Sequence, residues 1–261
     1  MSERTSSYSH LSEMPASHAA AEHVVPVILT MIPAVRSVVD LGGGDGGWLR
    51  VFKEHGVEEV LLIEHPSVAP HLVIDQASFN PCDISRDLPP PGKFDVAVCL
   101  ECAEHLPKSR AEDIVDWLTS SAEYVVFSAA IPGQGGNGHV HLRFPLYWAD
   151  LFLRRGYERF DILRPRIIAE QRIAWWYRQN MFIFAAKGTK LRTTANPFVP
   201  DEFHLVHKNV FEAPRSFRVA TGDVWAALVR ALRRRLFGGI TAENRGNEGI
   251  GRDAGSYSNW M

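Results

Sequence analysis

The sequence predicts an α/β fold in which the strands of a largely parallel sheet alternate with helices. Three short apolar runs carry this prediction, at residues 37–41, 57–63 and 94–100, and each has an acid at or next to its end. Continuous apolar runs of this length suit strands that are covered on both faces. Helix-like apolar spacing precedes the first run at residues 19–32 and follows it at residues 48–54. Such alternation is typical of a parallel sheet with helices on its faces.

The composition is that of an ordinary globular protein. The chain has 261 residues, of which 46% are hydrophobic and 22% charged, enough for one sizeable α/β domain with additions. A net charge of −2 gives no bias towards nucleic acid or an anionic membrane. No apolar run reaches the roughly 20 residues that span a bilayer. Three cysteines, two of them around one strand, argue against a disulfide framework and favour a cytoplasmic location.

We expect four segments along the chain. Residues 1–19 are polar and form a flexible N-terminal flap, for which a loose tail is the plainer alternative. Residues 20–187 form the main domain, and residues 188–243 form a lid and a helix. The basic face of that helix, at residues 223–237, would meet a membrane, an acidic partner or a glycan, or simply face solvent. Residues 244–261 are a flexible tail rich in Gly, Asn and Ser.

A glycine-rich turn follows the first strand. Its glycines permit positive φ and leave no Cβ between the backbone and a ligand. The helix that follows presents unpaired N–H groups to whatever lies in the turn. The alternative is an ordinary strand-to-helix turn. The residues predicted to bind a cofactor here are Asp40, Gly42, Gly44 and Gly46.

Acids at the ends of the next two strands point to the same edge of the sheet. Glu64 lies 24 positions beyond Asp40, where a nucleoside-binding α/β fold places a carboxylate for the ribose hydroxyls. Glu101, Glu104 and His105 follow the third strand, where a reacting group would lie. His105 is a candidate general base because an imidazole titrates near neutral pH. The alternatives are a solvated acid at Glu64, helix capping by Glu101 or Glu104, and a structural histidine.

A loop at residues 131–141 combines four glycines with two histidines. Core packing does not require this combination, whereas a loop that wraps a polar substrate does. In an extended segment His139 and His141 point to the same side. They would bind adjacent hydroxyls or, with Glu101, Glu104 or His105 as a third ligand, a divalent ion such as magnesium or manganese. Direct acid–base catalysis is the alternative use.

The remaining elements complete the main domain. A helix at residues 111–120 leads to a strand at 124–130, and a second helix at 146–155 leads to a strand at 157–163. An aromatic segment at residues 175–180 precedes the final strand. Its aromatic rings are expected in the core, with Tyr177 and Gln179 facing a ligand.

Two motifs carry a family resemblance. The pattern Asp40-x-Gly42-x-Gly44-x-Gly46 resembles motif I of the class I S-adenosylmethionine-dependent methyltransferases. Gly42, Gly44 and Gly47 also fit the dinucleotide fingerprint G-x-G-x-x-G, so an NAD(P)-dependent oxidoreductase remains an alternative. The acid before the first glycine favours a sulfonium cofactor with an amino-acid tail. The stretch from Phe94 through Glu104-His105-Leu106 is similar to motif IV of the same superfamily.

The resemblance implies a Rossmann-like, seven-stranded, mostly parallel sheet with helices on both faces and one antiparallel strand near the edge. A C-terminal helical extension would follow it. The implied cofactor is S-adenosyl-L-methionine, with Asp83 accepting a hydrogen bond from the adenine amino group and Ile84 beside it. Glu101 would lie near the methyl end.

Residues 128–157 resemble a methyltransferase subgroup associated with glycan and natural-product modification. Its members read Asn-Glu-Gln where this chain has His141-Leu142-Arg143, so His141 and Arg143 are expected to set specificity. We therefore expect O-methylation of a sugar, oligosaccharide or related polyhydroxylated small molecule, with His105 or His141 as base and with His139 and Glu104 taking part. Alternatives are methyl transfer to a natural-product nitrogen or phenol, and cofactor binding without turnover. No nucleic acid or membrane partner is expected, and a homo-oligomer is left open.

Overall fold

The computed structural model describes residues 14–192. Most of the expected N-terminal flap, almost all of the expected lid and helix, and the expected tail lie outside the described residues. Within them the chain forms one seven-stranded sheet with the order β3-β2-β1-β4-β5-β7-β6. The strands are β1 Ser37–Leu41, β2 Glu59–Glu64, β3 Phe79–Pro81, β4 Phe94–Leu100, β5 Ala122–Ser128, β6 Tyr157–Phe160 and β7 Phe182–Ala186.

The sheet is mostly parallel, as the sequence predicts. Strands β1 to β5 pair in parallel, and β7 pairs antiparallel with both β5 and β6. The carboxyl ends of β1, β2 and β4 therefore meet at one edge, and the residues after them form one site. The expected antiparallel strand lies next to the sheet edge.

Helices cover both faces of the sheet and bury two separate cores. They are α1 Met14–Met31, α2 Gly47–Glu54, α3 Ala111–Ser121, α4 Pro145–Arg154, α5 Arg164–Ile167 and α6 Trp175–Asn180. Alternate strand residues point to opposite faces, so Val38 packs with α1 and α2 while Val39 packs with α3 and α4. Burial on both faces explains why the strands are continuous apolar runs. None of the described helices is both long and apolar enough to cross a membrane.

Two expected boundaries shift by three or more residues, and one segment without a predicted element is a helix. Helix α1 begins at Met14, inside the expected flap, because Pro15 suits a first helical turn and the alanines after it are strong helix formers. Strand β6 ends at Phe160, three residues early, because the Asp161 carboxylate accepts a hydrogen bond from Arg164 and starts a turn into α5. The aromatic segment at 175–180 is itself a helix, α6.

Candidate active site

A cavity of about 360 Å³ lies at the carboxyl ends of β1, β2 and β4. This is the edge at which open α/β sheets bind their ligands. The predicted residues on its wall are Asp40, Gly42, Glu64, Asp83, Ile84, Glu101 and His105. The predicted residues placed away from the wall are Gly44, Gly46, Glu104, His139 and His141. The fold therefore brings most of the residues that were predicted to bind the cofactor together on one cavity wall.

The glycine turn is tight because neighbouring side chains fill the space that a Cβ would need. Gly42 has φ of 79°, and a Cβ there would lie 2.2 Å from the sulfur of Cys102. Gly44 and Gly46, also predicted to bind the cofactor, lie off the cavity wall. The Gly44 N–H donates to the Glu64 carboxylate at 3.0 Å, and Gly46 is the N-cap residue of α2. Both have a positive φ, as the sequence predicts for the glycines of this turn.

Asp40 is a buried acid on the cavity wall. Its side chain is 1% exposed, and neither carboxylate oxygen has a hydrogen-bond partner among residues 14–192. Burial, and then the nearby charge of Glu64, raise the pKa of Asp40 well above its ordinary value. Buried polar groups are normally hydrogen-bonded. A cationic group in the cavity, such as the ammonium of an amino-acid tail, fits this carboxylate.

Glu64 and Asp83 are held by backbone and side-chain donors. Glu64 accepts from the N–H groups of Gly44 at 3.0 Å and His65 at 2.7 Å. Asp83 accepts from both the N–H and the hydroxyl of Ser85, at 3.1 and 2.5 Å. The Ser85 hydroxyl contributes most to a lowered pKa of Asp83, which therefore stays ionised. Both carboxylates are fixed acceptors on the cavity wall.

Glu101 is held in a strained conformation. Its φ is 49°, a region that side chains other than glycine rarely adopt. Its carboxylate accepts hydrogen bonds from Gln134 at 2.8 Å and from Asn180 at 3.1 Å, and its N–H donates to the Ser128 carbonyl at 3.0 Å. Strain of this kind persists where the surroundings impose it, often at functional sites. Sequence reasoning missed Gln134 and Asn180, which lie far from Glu101 in the chain.

An aromatic wall closes one side of the cavity. Trp48 and Tyr177 meet edge to face with ring centroids 5.4 Å apart, and both donate to the Ser17 hydroxyl, at 3.0 and 3.2 Å. Burial raises the pKa of Tyr177, so this phenol stays neutral. Tyr177 was expected to face a ligand and does line the cavity. Gln179 lies off the wall, 3% exposed, because its amide donates to Asn180 instead.

Glu104, His105 and His139 form a compact cluster beside the cavity. One nitrogen or oxygen atom from each of the three residues lies within 4.8 Å of those of the other two. The Nε2 atom of His139 is 4.0 Å from a Glu104 carboxylate oxygen, and Glu104 is fully buried. Of these three residues, His105 reaches the cavity wall.

His141 lies apart from this cluster, so the expected pairing of His139 with His141 is wrong. The His141 ring packs against the rings of Tyr147 and Trp148, and its Nε2 accepts from the Arg143 guanidinium at 3.1 Å. Burial, followed by the charges of Arg143 and Lys108, lowers the pKa of His141. The loop is not extended here, because the N–H groups of Val140 and His141 both donate to the Glu104 carbonyl.

Comparisons with known proteins agree with the fold. No curated protein matches the chain. A solved S-adenosylmethionine-dependent methyltransferase from Archaeoglobus fulgidus is similar, with a TM-score of 0.51 and 16% identity over 69% of this chain and 100% of that one. Streptomyces venezuelae DesVI is similar with a TM-score of 0.50 and 13% identity over 68% of this chain and 94% of that one. At these identities the two structures show the fold alone.

A third similar structure is CalO1, a methyltransferase in calicheamicin biosynthesis. It is 21% identical with a TM-score of 0.41, and the match covers 53% of this chain and 48% of CalO1. The chain therefore spans about half the length of that protein. The model of a methyltransferase domain matches residues 15–180, well over half of the chain. With that match and the seven-stranded fold, the chain belongs to the methyltransferase domain family, within the class I S-adenosylmethionine-dependent methyltransferases.

Proposed function

We propose that the protein transfers a methyl group to a hydroxyl oxygen of a polyhydroxylated small molecule, such as a sugar or oligosaccharide. One observation carries the proposal: the Glu104–His105–His139 cluster has His105 on the wall of the cavity that also contains Asp40 and Glu64. A hydroxyl acceptor must lose its proton, and this cluster lies where the proton would leave.

The wall residues support a placement for S-adenosylmethionine. We place its amino-acid tail at Asp40 and Gly42, since Asp40 is a buried carboxylate without a partner among residues 14–192. Glu64 would accept the ribose hydroxyls at the end of β2. Asp83 and Ile84 would hold the adenine. The methyl end then points towards β4.

When bound, S-adenosylmethionine supplies the methyl group: an acceptor oxygen lone pair forms the new O–CH₃ bond while the S–CH₃ bond breaks and leaves its electron pair on sulfur. The protein aligns the reactants and removes the hydroxyl proton. His105 is the member of the cluster that would meet the acceptor. Glu104, fully buried in the same cluster, would stabilise the positive charge that His105 gains with the proton.

The loop at 131–141 supports a polar acceptor. It contacts the cavity wall at Glu101 through Gln134 and approaches His105 at Gly138, where a Cβ would lie 3.5 Å from the His105 ring. Residues 135–138 of the loop are exposed next to the wall and would be available to a polar acceptor. The aromatic rings of Trp176 and Tyr177, which also line the cavity, favour a second candidate, a phenolic acceptor.

The test is a methyl-transfer assay with isotopically labelled S-adenosylmethionine. Monosaccharides, oligosaccharides and phenols are offered separately, and mass spectrometry with fragmentation locates the label. We expect the label on an alcohol oxygen, and we expect His105→Ala to lower kcat far more than it weakens cofactor binding. Label on a phenol would support the second candidate. Label on nitrogen, or full activity of His105→Ala, would refute the proposal.

A further inference from the structure

We propose that Glu104, His105 and His139 bind one divalent transition-metal ion beside the cavity. The binding itself is independent of the acceptor. The role that we give the ion, activation of an acceptor hydroxyl, rests on the proposed function.

The spacing of the three side chains suits a metal ion. Each offers one ligand atom, and these atoms lie within 4.8 Å of one another. Ligand atoms about 2.0–2.2 Å from a metal are about 3–3.5 Å from each other. The His139 nitrogen and the Glu104 oxygen, now 4.0 Å apart, need only small side-chain rotations to reach this spacing.

Contacts within the loop and with the turn at Glu104 hold the His139 ring next to Glu104. A Cβ on Gly136 would lie 2.2 Å from the His139 ring, so the ring lies directly against the Gly136 backbone and a side chain there would displace it. The N–H groups of Val140 and His141 donate to the Glu104 carbonyl at 2.9 and 3.0 Å and fix the loop to the turn. Such preorganisation is what a metal site requires.

The charge and burial of Glu104 favour a cation. Its side chain is fully buried, and a buried carboxylate is stabilised by a positive charge close to it. A divalent ion between Glu104 and the two imidazoles supplies that charge. This stabilisation of the Glu104 carboxylate adds to the interactions that the surrounding residues already make with it.

The ligand types select the ion. Two imidazoles and one carboxylate suit manganese, iron, cobalt or zinc, whereas magnesium prefers oxygen ligands and water. These ligands therefore favour manganese, the other ion that the sequence suggested, or a further transition metal over magnesium. Two histidines and one carboxylate also leave coordination positions open. Because His105 lies on the cavity wall, those positions would take acceptor oxygens, and the ion would lower the pKa of a bound hydroxyl. With the ion bound, His105 would act as a ligand and not as the base, and the proton of the hydroxyl that the ion acidifies would pass to water.

The test uses metal-free, full-length protein without an affinity tag. Cobalt(II) is titrated by calorimetry and by its visible absorption, and manganese(II), zinc(II) and magnesium(II) are titrated by calorimetry alone. We expect one cobalt ion per chain at this site, and no comparable magnesium binding. Glu104→Gln and His139→Ala should each weaken cobalt binding by more than about 100-fold, since even outer-shell partners of a metal are worth 10–100-fold.

His71→Ala is the matched control, because it removes an exposed imidazole outside the cluster. It should bind cobalt as the unaltered chain does. Circular dichroism and S-adenosylmethionine affinity check that each variant folds, and His139→Ala, on the loop, remains informative if the buried Glu104→Gln does not fold. Absence of cobalt binding to the unaltered chain, or equal binding by a folded His139→Ala, overturns the proposal.

The same preparation separates the two proposals. Cobalt binding at the cluster without methylation of any hydroxyl would leave the metal site standing and refute the proposed function. If the protein binds no cobalt and a chelator does not slow hydroxyl methylation, the proposed function stands and the metal site is refuted.

Discussion

Substituting Asp40 by Asn should weaken cofactor binding and at the same time stabilise the ligand-free protein. Asp40→Asn keeps the shape of the side chain and removes its charge. The carboxylate is 1% exposed and has no hydrogen-bond partner among residues 14–192, so in the ligand-free protein its charge is uncompensated. A cationic ligand group would compensate it. Affinity and stability should therefore change in opposite directions.

The loss of affinity can be estimated from the burial of Asp40. An ammonium about 4 Å from a carboxylate gains about 4 kcal/mol at an effective dielectric constant near 20. Desolvation of the ammonium offsets part of this, and hydrogen bonds to charged groups contribute about 1.5–3 kcal/mol net. Affinity for S-adenosylmethionine should thus fall about 10- to 150-fold. S-adenosylhomocysteine carries the same ammonium and should lose affinity by the same factor.

The effect of Asp40 on stability has a definite sign. Burial and Glu64 raise its pKa, so the folded protein binds this proton more tightly than the unfolded chain does. The carboxyl therefore lowers stability progressively as the pH rises from about 4, its unfolded pKa, through the raised value. Asp40→Asn removes this loss, so its Tm without ligand should be higher at neutral pH and depend less on pH.

Calorimetry measures both affinities, and thermal unfolding between acid and neutral pH measures stability. Asp87→Asn is the control, because it removes one exposed carboxylate off the cavity wall. It should change neither the affinity nor the pH dependence appreciably. Unchanged S-adenosylmethionine affinity in a folded Asp40→Asn protein would refute the placement of the amino-acid tail.

Three further substitutions test other parts of the site. Glu64→Gln removes the charged acceptor proposed for the ribose, so calorimetry should show S-adenosylmethionine affinity about 10- to 100-fold lower; unchanged affinity would place the ribose elsewhere. Asn180→Ala removes a donor to the strained Glu101, so urea unfolding should show stability about 1–3 kcal/mol lower; an unchanged midpoint would mean that the contact does not hold Glu101. Gly136→Ala displaces the His139 ring, so kcat should fall on the order of 100-fold while the affinity for the cofactor stays unchanged. An unaltered kcat would mean that the cluster takes no part in catalysis.

The sheet could be predicted because its sequence signal is local. Strands β1 and β4 have the predicted bounds, since each is a continuous apolar run buried on both faces. The meeting of Glu64 and Glu101 at one site was also predictable, because parallel strands present their carboxyl ends at one edge of the sheet. The methyltransferase domain match also decides between the two cofactors that the glycines alone left open.

The loop and the network around Glu101 could not be predicted from local patterns. His141 turns away from His139 because the Glu104 carbonyl binds two successive N–H groups and Arg143 binds the His141 ring. Both contacts depend on how the loop folds. The two-residue alternation of side chains, which assumes an extended segment, does not reveal that fold. The positive φ of Glu101 is likewise set by partners distant in sequence, among them Asn180.

If S-adenosylmethionine is placed as we propose, the acids around the cavity would distinguish it from its demethylated form. Asp40, Glu64 and Glu101 line the wall, and Glu104 is buried close behind it. S-adenosylmethionine has a positive sulfonium that S-adenosylhomocysteine lacks, so an acid-lined wall favours the substrate form electrostatically. On the proposed placement, transfer of the methyl group removes the charge that this wall attracts. The burial of so many carboxylates at one sheet edge would then hold the reactive cofactor strongly and its spent form weakly.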